Sequence, residues 1–208
     1  MTTAHDLMLV ALGLPHDRPV EQGDLSLALA GAEAIDLLEA GALTLDGDLM
    51  VPGPRAATGE RLLDDAAASF VRSEPYETVM DWLWRRGRDL TAAYGDDLTR
   101  SGLVTRPHRH GFGLLSAKSV LADSPARRRA EERKASGEPV LTGLFAEAGI
   151  GQDPVRREGS PDENPGGSPS GEAVETVLAA VGEAVTELEA LRLRRDIENA
   201  AFDNMWRG

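Results

Sequence analysis

One structural unit occurs twice in this chain, and the repeat restricts the possible folds more than any other feature. The run AGAEAIDLLEAGALTL carries helical spacing up to Gly41, then turns back through Asp46-Gly47 into Asp48-Leu49-Met50-Val51. The run AAYGDDLTRSGLVTR ends its helical part at Gly102 and is expected to turn back through Pro107–Gly111 into Phe112-Gly113-Leu114-Leu115. Aligned on the glycines, Leu37, Gly41, Leu43 and Thr44 match Leu98, Gly102, Val104 and Thr105. Glycine after a periodic run is the common helix stop, because it enters the left-handed region without a Cβ penalty. Asp-Gly between short apolar runs is a hairpin signal. The order is therefore helix–hairpin, connector helices, helix–hairpin. The expected fold is mainly α: a compact helical domain with two small β-hairpins in winged-helix-like units, near 43–51 and 103–115.

The connector ATGERLLDDAAASFVRSEPYETVMDW contains two helix starts. Thr58 is placed as an N-cap, and Leu62, Leu63, Ala66, Ala67, Phe70 and Val71 define one apolar face. Ser73-Glu74-Pro75 is read as the second start, with Val79, Leu83 and Trp82 or Trp84 on the buried side. Before the repeat, Leu7 to Leu14 is a short helix ending at Pro15, and Asp24 or Ser26 is the expected cap of the next one. Another helix spans about 88–101. After the second unit, Ser124-Pro125 opens the charged helix ARRRAEERKA, stopped at Gly137, and PVLTGLFAEAGI is a short core helix. Residues 151–171 hold turn formers and little to bury, and are read as a flexible Pro/Gly/Ser-rich loop. In the last helix, 172–208, Val174, Leu178, Val181, Val185 and Leu188 form a stripe that must dock on the 1–150 domain or on another chain.

The balance of charge narrows the function. The formal net charge is −13 and cysteine is absent. Such a chain is repelled by nucleic acid and anionic lipid unless a local basic patch intervenes. Lack of cysteine fits a reducing compartment, and the N-terminus has neither the basic region of a signal peptide nor a lipidation motif, so a cytoplasmic location is expected. The one patch able to override the acidic average is Arg127, Arg128, Arg129, Arg133 and Lys134. These basic residues are the expected anion-binding site, against an alternative of solvated pairs such as Arg128–Glu132 and Arg129–Glu132. No metal site is expected: His108-Arg109-His110 reads as a turn tip. Met80, Trp82 and Trp84 with Arg85, Arg86 and Arg88 offer an aromatic–basic edge, with Trp84 the exposed candidate. No nucleophile motif, phosphate loop, cofactor fingerprint or acid/base pair is present, so no catalytic residue is assigned. Helix–hairpin units also suggest a winged-helix DNA-binding regulator, but the helices that would enter a groove are acidic, and nucleic acid is not an expected partner.

HDLMLVALGL, AGAEAIDLLEAGALTL, ATGERLLDDAA, PYETVMDWL and LTRSGLVTR, in this order over about residues 4–150, resemble the Golgi phosphoprotein 3 family, which has bacterial members. The resemblance implies a helical protein bound peripherally to membrane, at the inner face in a bacterial cell. It implies recognition of phosphatidylinositol 4-phosphate and of the cytosolic tails of membrane proteins; with no catalytic or cofactor motif in the sequence, a non-enzymatic protein without a cofactor is expected. Of the lipid contacts it implies, a tryptophan position falls near Glu21 and an early arginine position on Ala30, before Gly31. What the resemblance leaves for phosphate is the basic helix from Arg127 to Lys134. A protein–protein adaptor without lipid binding is the alternative.

Overall fold

The computed structural model describes residues 2–15, 20–54, 57–105, 120–151 and 169–206. These form eight helices: α1 (Thr3–Leu12), α2 (Gln22–Glu39), α3 (Arg61–Ala68), α4 (Val79–Arg86), α5 (Leu90–Arg100), α6 (Pro125–Ala135), α7 (Pro139–Glu147) and α8 (Pro169–Trp206). Two antiparallel pairs complete the fold, β1 (Leu43–Asp46) with β2 (Leu49–Pro52) and β3 (Val104–Thr105) with β4 (Val120–Leu121). The fold is mainly α, as the pattern of helix stops implies. Among the described residues no helix is long and apolar enough to cross a membrane.

Helix α2 is the hub. Its run of leucine, alanine and glycine from Asp24 to Ile35 is buried all round, against α1, α4, α5, α7 and α8. Small side chains let those helices approach closely. At Gly31 a Cβ would stand 2.5 Å from Val181 Cγ2 of α8, so glycine is what permits that crossing. Helix α8 in turn buries Val177, Val181, Ala184 and Val185, with Val174, Leu178 and Leu188 partly covered.

The internal repeat is visible in the backbone. Gly41 and Gly102 have φ of 66° and 75°. In each unit the residue after the glycine donates to a carbonyl five residues back: Ala42 N to Leu37 O at 3.0 Å, Leu103 N to Leu98 O at 2.9 Å. Both are Schellman closures that satisfy the end carbonyls of a helix. The first hairpin pairs Asp46 with Leu49 around Gly47. The second pairs Val104 with Leu121 and Thr105 with Val120. The expected return strand Phe112–Leu115 and the turn Pro107–Gly111 lie outside the described residues, and the described partner of β3 is Val120–Leu121. Leu121 packs against the core, and Ala122 N donates to Leu103 O at 2.9 Å, which fixes the later register. His108-Arg109-His110 and residues 152–168 of the Pro/Gly/Ser-rich stretch also lie outside the described residues.

Several helix starts differ from the sequence expectation because the capping residues have other partners. Helix α1 begins at Thr3, where Thr2 accepts from His5 N and the Asp36 carboxylate accepts from Thr3 N and Ala4 N. Helix α2 begins at Gln22, since Asp24 pairs with Arg192 and Ser26 bonds Thr91. In α3 the N-cap position is Glu60, and Asp64 reaches back to Thr58 N and Oγ1 at 2.7 and 2.8 Å. Helix α4 starts after Thr78, whose Oγ1 accepts from Asp81 N, rather than at Ser73–Pro75. Trp82 is fully buried, donating from Nε1 to Ala30 O at 3.1 Å and packing on Phe70, whereas Trp84 is half-buried.

Candidate anion-binding groove and the basic helix

The five basic residues of α6 lie on one helix, and each has an internal partner. Arg127 Nε donates to Glu131 Oε1 at 2.7 Å, and Arg128 Nη1 to Asp123 Oδ1 at 3.2 Å. Arg129 and Arg133 both reach Asp6 of α1, at 3.3 and 2.6 Å, and Arg133 also donates to Glu138 at 3.1 Å. Asp6 is only 1% exposed. Arg128 and Arg129 thus choose Asp123 and Asp6 over Glu132. Burial disfavours the Arg133 charge, yet the bond to Asp6 and the Glu138 carboxylate hold its pKa above the ordinary value. The Lys134 ammonium stands 4.1 Å from the Phe145 ring centroid, and burial lowers its pKa. The carboxylates around Arg133 include Asp36 and Glu39, both shifted up first of all by burial. Helix α6 is therefore a brace against α1, with its charge largely balanced where it stands.

The aromatic–basic edge divides in the same way. Arg86 is drawn inside, donating to Glu33 at 2.7 and 2.9 Å and to Leu62 O, while Tyr94 OH donates to the same carboxylate. Arg85 pairs with Glu77 at 2.6 Å and covers the Trp82 ring. Arg88, just before α5, is exposed and makes no ion pair or hydrogen bond among the described residues. It lines a groove of about 530 Å³ together with Trp84.

That groove joins an apolar wall to a polar end. Met8 and Leu12 of α1, Leu27, Trp84, Val104 and Leu188 supply the wall. Gln22, Gly23 and Ser26 come from the start of α2, and Asp89 and Thr91 from the start of α5. Ser26 Oγ and Thr91 Oγ1 are 2.8 Å apart, Thr91 N donates to Ser26 Oγ, and Thr91 Oγ1 donates to Gln22 O. These bonds bring the two helix N-termini together. Neither is closed by its own cap: Glu21 makes no side-chain capping bond, nor does Asp89, which sits at φ 57°. Two positive dipole ends and one unpaired guanidinium thus meet at one place, a combination that attracts anions. Glu21 and Asp89 sit beside it as opposing charges. Ala30 is fully buried elsewhere on α2, its carbonyl taken by Trp82.

Sequence spacing placed Arg88 on the aromatic–basic edge but did not separate it from Arg85 and Arg86. The partners that separate them do not stand at i,i+3 or i,i+4 spacing: Glu77 lies eight residues before Arg85, ahead of α4, and Glu33 is on α2. Residues 4–193 match the model of the Golgi phosphoprotein 3 (GPP34) family. The chain belongs to that family. No protein of curated function matches it in sequence. For a Golgi phosphoprotein 3 family member, the matched span is informative in its own right. It runs past residue 150 and takes in most of α8, the helix whose Leu188 walls the groove.

Proposed function

We propose that this Golgi phosphoprotein 3 family chain is a non-enzymatic peripheral membrane protein that receives an anionic phospholipid head group, of the phosphatidylinositol 4-phosphate kind, in the groove at Arg88. The observation that carries the reading is the convergence of the α2 and α5 N-termini, whose own cap residues Glu21 and Asp89 make no side-chain capping bond, with a guanidinium that has no carboxylate partner among the described residues. A phosphate gains two fork-shaped hydrogen bonds from such an arginine. On a chain of net charge −13, attraction must be local. The α6 cations enter this reading as structural partners of Asp6, Asp123, Glu131 and Glu138. Nucleic acid is not proposed, because α2 is enclosed by other helices and has no free face for a duplex.

The test is co-sedimentation with phosphatidylcholine vesicles containing phosphatidylinositol 4-phosphate. Reversing one charge near an anionic surface changes the interaction by about 2 kcal/mol, at about 1 kcal/mol per unit charge. Arg88→Glu is therefore expected to weaken binding roughly thirtyfold, and high salt to abolish most of what remains. Equal binding of wild type and Arg88→Glu would remove the groove as the site. If wild type ignores the vesicles, the adaptor reading replaces this one. Its support is the apolar wall of Trp84, Met8, Leu12 and Leu27, which suits a peptide tail of a membrane protein.

A further inference from the structure

The wall contributed by α8 also carries an arginine that lies against Gly23, at the rim of the groove. Leu188 lines it, and Arg192 lies one helical turn further on. At Gly23, in the first turn of α2, a Cβ would meet Leu188 Cδ2 and Arg192 Nη2, each at 2.7 Å. Gly23 itself lines the groove. So the ends of the Leu188 and Arg192 side chains of α8 rest on the opening of α2. Arg192 is held there by one edge only: Nη1 donates to Asp24 Oδ1 at 2.8 Å. Its Nη2, the atom over Gly23, has no hydrogen-bond partner among the described residues. A guanidinium has five donors, so a carboxylate on one edge leaves the other for a second anion.

We infer that Arg192 is the second cation of the groove, with Asp24 as the positioning residue that turns its free edge toward a bound phosphate. The inference rests on the head-group reading above and makes the C-terminal helix a part of the site rather than only a strut. Asp24 is the carboxylate that Arg192 contacts, and Glu189 of α8 and Glu21 of the α2 start are the other acidic groups acting on Asp24. Phosphate bound between Arg88 and Arg192 is then clamped from both sides of the α2 N-terminus.

The pair can be removed without changing net charge. Asp24→Asn with Arg192→Gln deletes one negative and one positive side chain, so long-range attraction is as in wild type and only the local contact is lost. On vesicles of phosphatidylcholine with phosphatidylinositol 4-phosphate, this double variant is expected to bind roughly tenfold more weakly, the effect of one charge-assisted contact. Its helical circular dichroism and cooperative melting report that α8 remains docked. Inorganic phosphate serves as the soluble probe. A rise in melting temperature with phosphate in wild type but not in the double variant supports the site with a free phosphate as its source. Vesicle binding that the double variant loses, without a phosphate shift in either protein, supports it with a membrane source. A folded double variant that binds within twofold of wild type overturns the role of Arg192. If Arg88→Glu still weakens binding in that case, the groove reading survives and only this inference falls. Vesicle binding unaffected by either change removes both.

Discussion

Removing Arg133 should loosen the molecule rather than merely discharge its surface. Asp6 is 1% exposed, and its two strongest claims on solvation are Arg133 at 2.6 Å and Arg129 at 3.3 Å. In Arg133→Ala the carboxylate keeps only the longer contact, to a side chain that is itself 50% exposed. Deleting one member of a fully buried pair costs about 3–5 kcal/mol. Arg133 is 29% exposed, so water replaces part of it, and the discounted cost is about 2 kcal/mol. Glu138 loses the same guanidinium but still accepts from Val140 N and Leu141 N at 3.2 and 2.9 Å, so it adds little. For a chain of this size, about 2–4 °C of melting temperature corresponds to each kcal/mol, giving a fall of about 4–8 °C. Differential scanning calorimetry at neutral pH measures it, with Arg128→Ala as the exposed control expected within about 0.5 kcal/mol of wild type. A shift under about 1 °C for Arg133→Ala, or equal shifts for the two variants, would refute the brace. The same geometry governs charge reversal on α6. Arg129→Glu with Arg133→Glu would set new carboxylates beside Asp6 and Asp36, so lost vesicle binding in that variant would report unfolding and not a lipid site.

Two further changes test the rest of the frame. Gly31→Ala gains about 1 kcal/mol of helix propensity but pushes a methyl into Val181 of α8, where overpacking costs about 1–3 kcal/mol. The expected result is a lower urea midpoint, restored by adding Val181→Ala, and a plainly stabilised Gly31→Ala would contradict the packing of α8 on α2. The Asp36 carboxyl caps α1, and burial holds its pKa above the ordinary value against the pull of the Thr3 and Ala4 N–H groups. A raised carboxyl favours the folded state when protonated, so its contribution is complete below the usual carboxylate pKa and is lost as pH rises through the folded value. The melting temperature of wild type minus that of Asp36→Asn should therefore decline on going from about pH 3 to about pH 7, and a difference that stays flat or grows would sink this account.

The helices and turns were legible where local chemistry decides them. Gly41 and Gly102 mark the two Schellman closures, and Ser124-Pro125 opens α6 with Ser124 accepting from Arg127 N. What was not legible is whatever a distant partner decides. Asp24 looks like a cap until Arg192 takes it, and Ser26 likewise until Thr91 does. The β4 strand is named by Leu121 reaching the core, which no turn motif announces. The pairing of Asp6 with α6 spans nearly the whole domain, and the sequence holds no spacing rule for it.

The same distinction bears on the cluster of arginines on α6. With 35 acidic side chains against 22 basic ones, each cation has more than one carboxylate to find within its own chain. A basic run on such a protein is where internal pairing is densest, because the fold can satisfy several buried or half-buried acids from one helix. Arg129 and Arg133 do this for Asp6, and Arg133 again for Glu138. The informative cation is the one the chain leaves without an acid, and Arg88 is such a residue among those described. Its neighbours in sequence, Arg85 and Arg86, are consumed by Glu77 and Glu33, so the contrast arises within four residues of one segment. A guanidinium without a carboxylate partner keeps its donors open to an anion, but the surrounding acids repel that anion unless other groups offset them. The two helix N-termini supply that offset, since their partial charges cannot be neutralised by titration or carried off by a flexible chain. In the proposed site, Arg88 and the α2–α5 junction act as one unit, so Arg88→Glu and a change at Ser26 or Thr91 that disturbs the junction should weaken vesicle binding together.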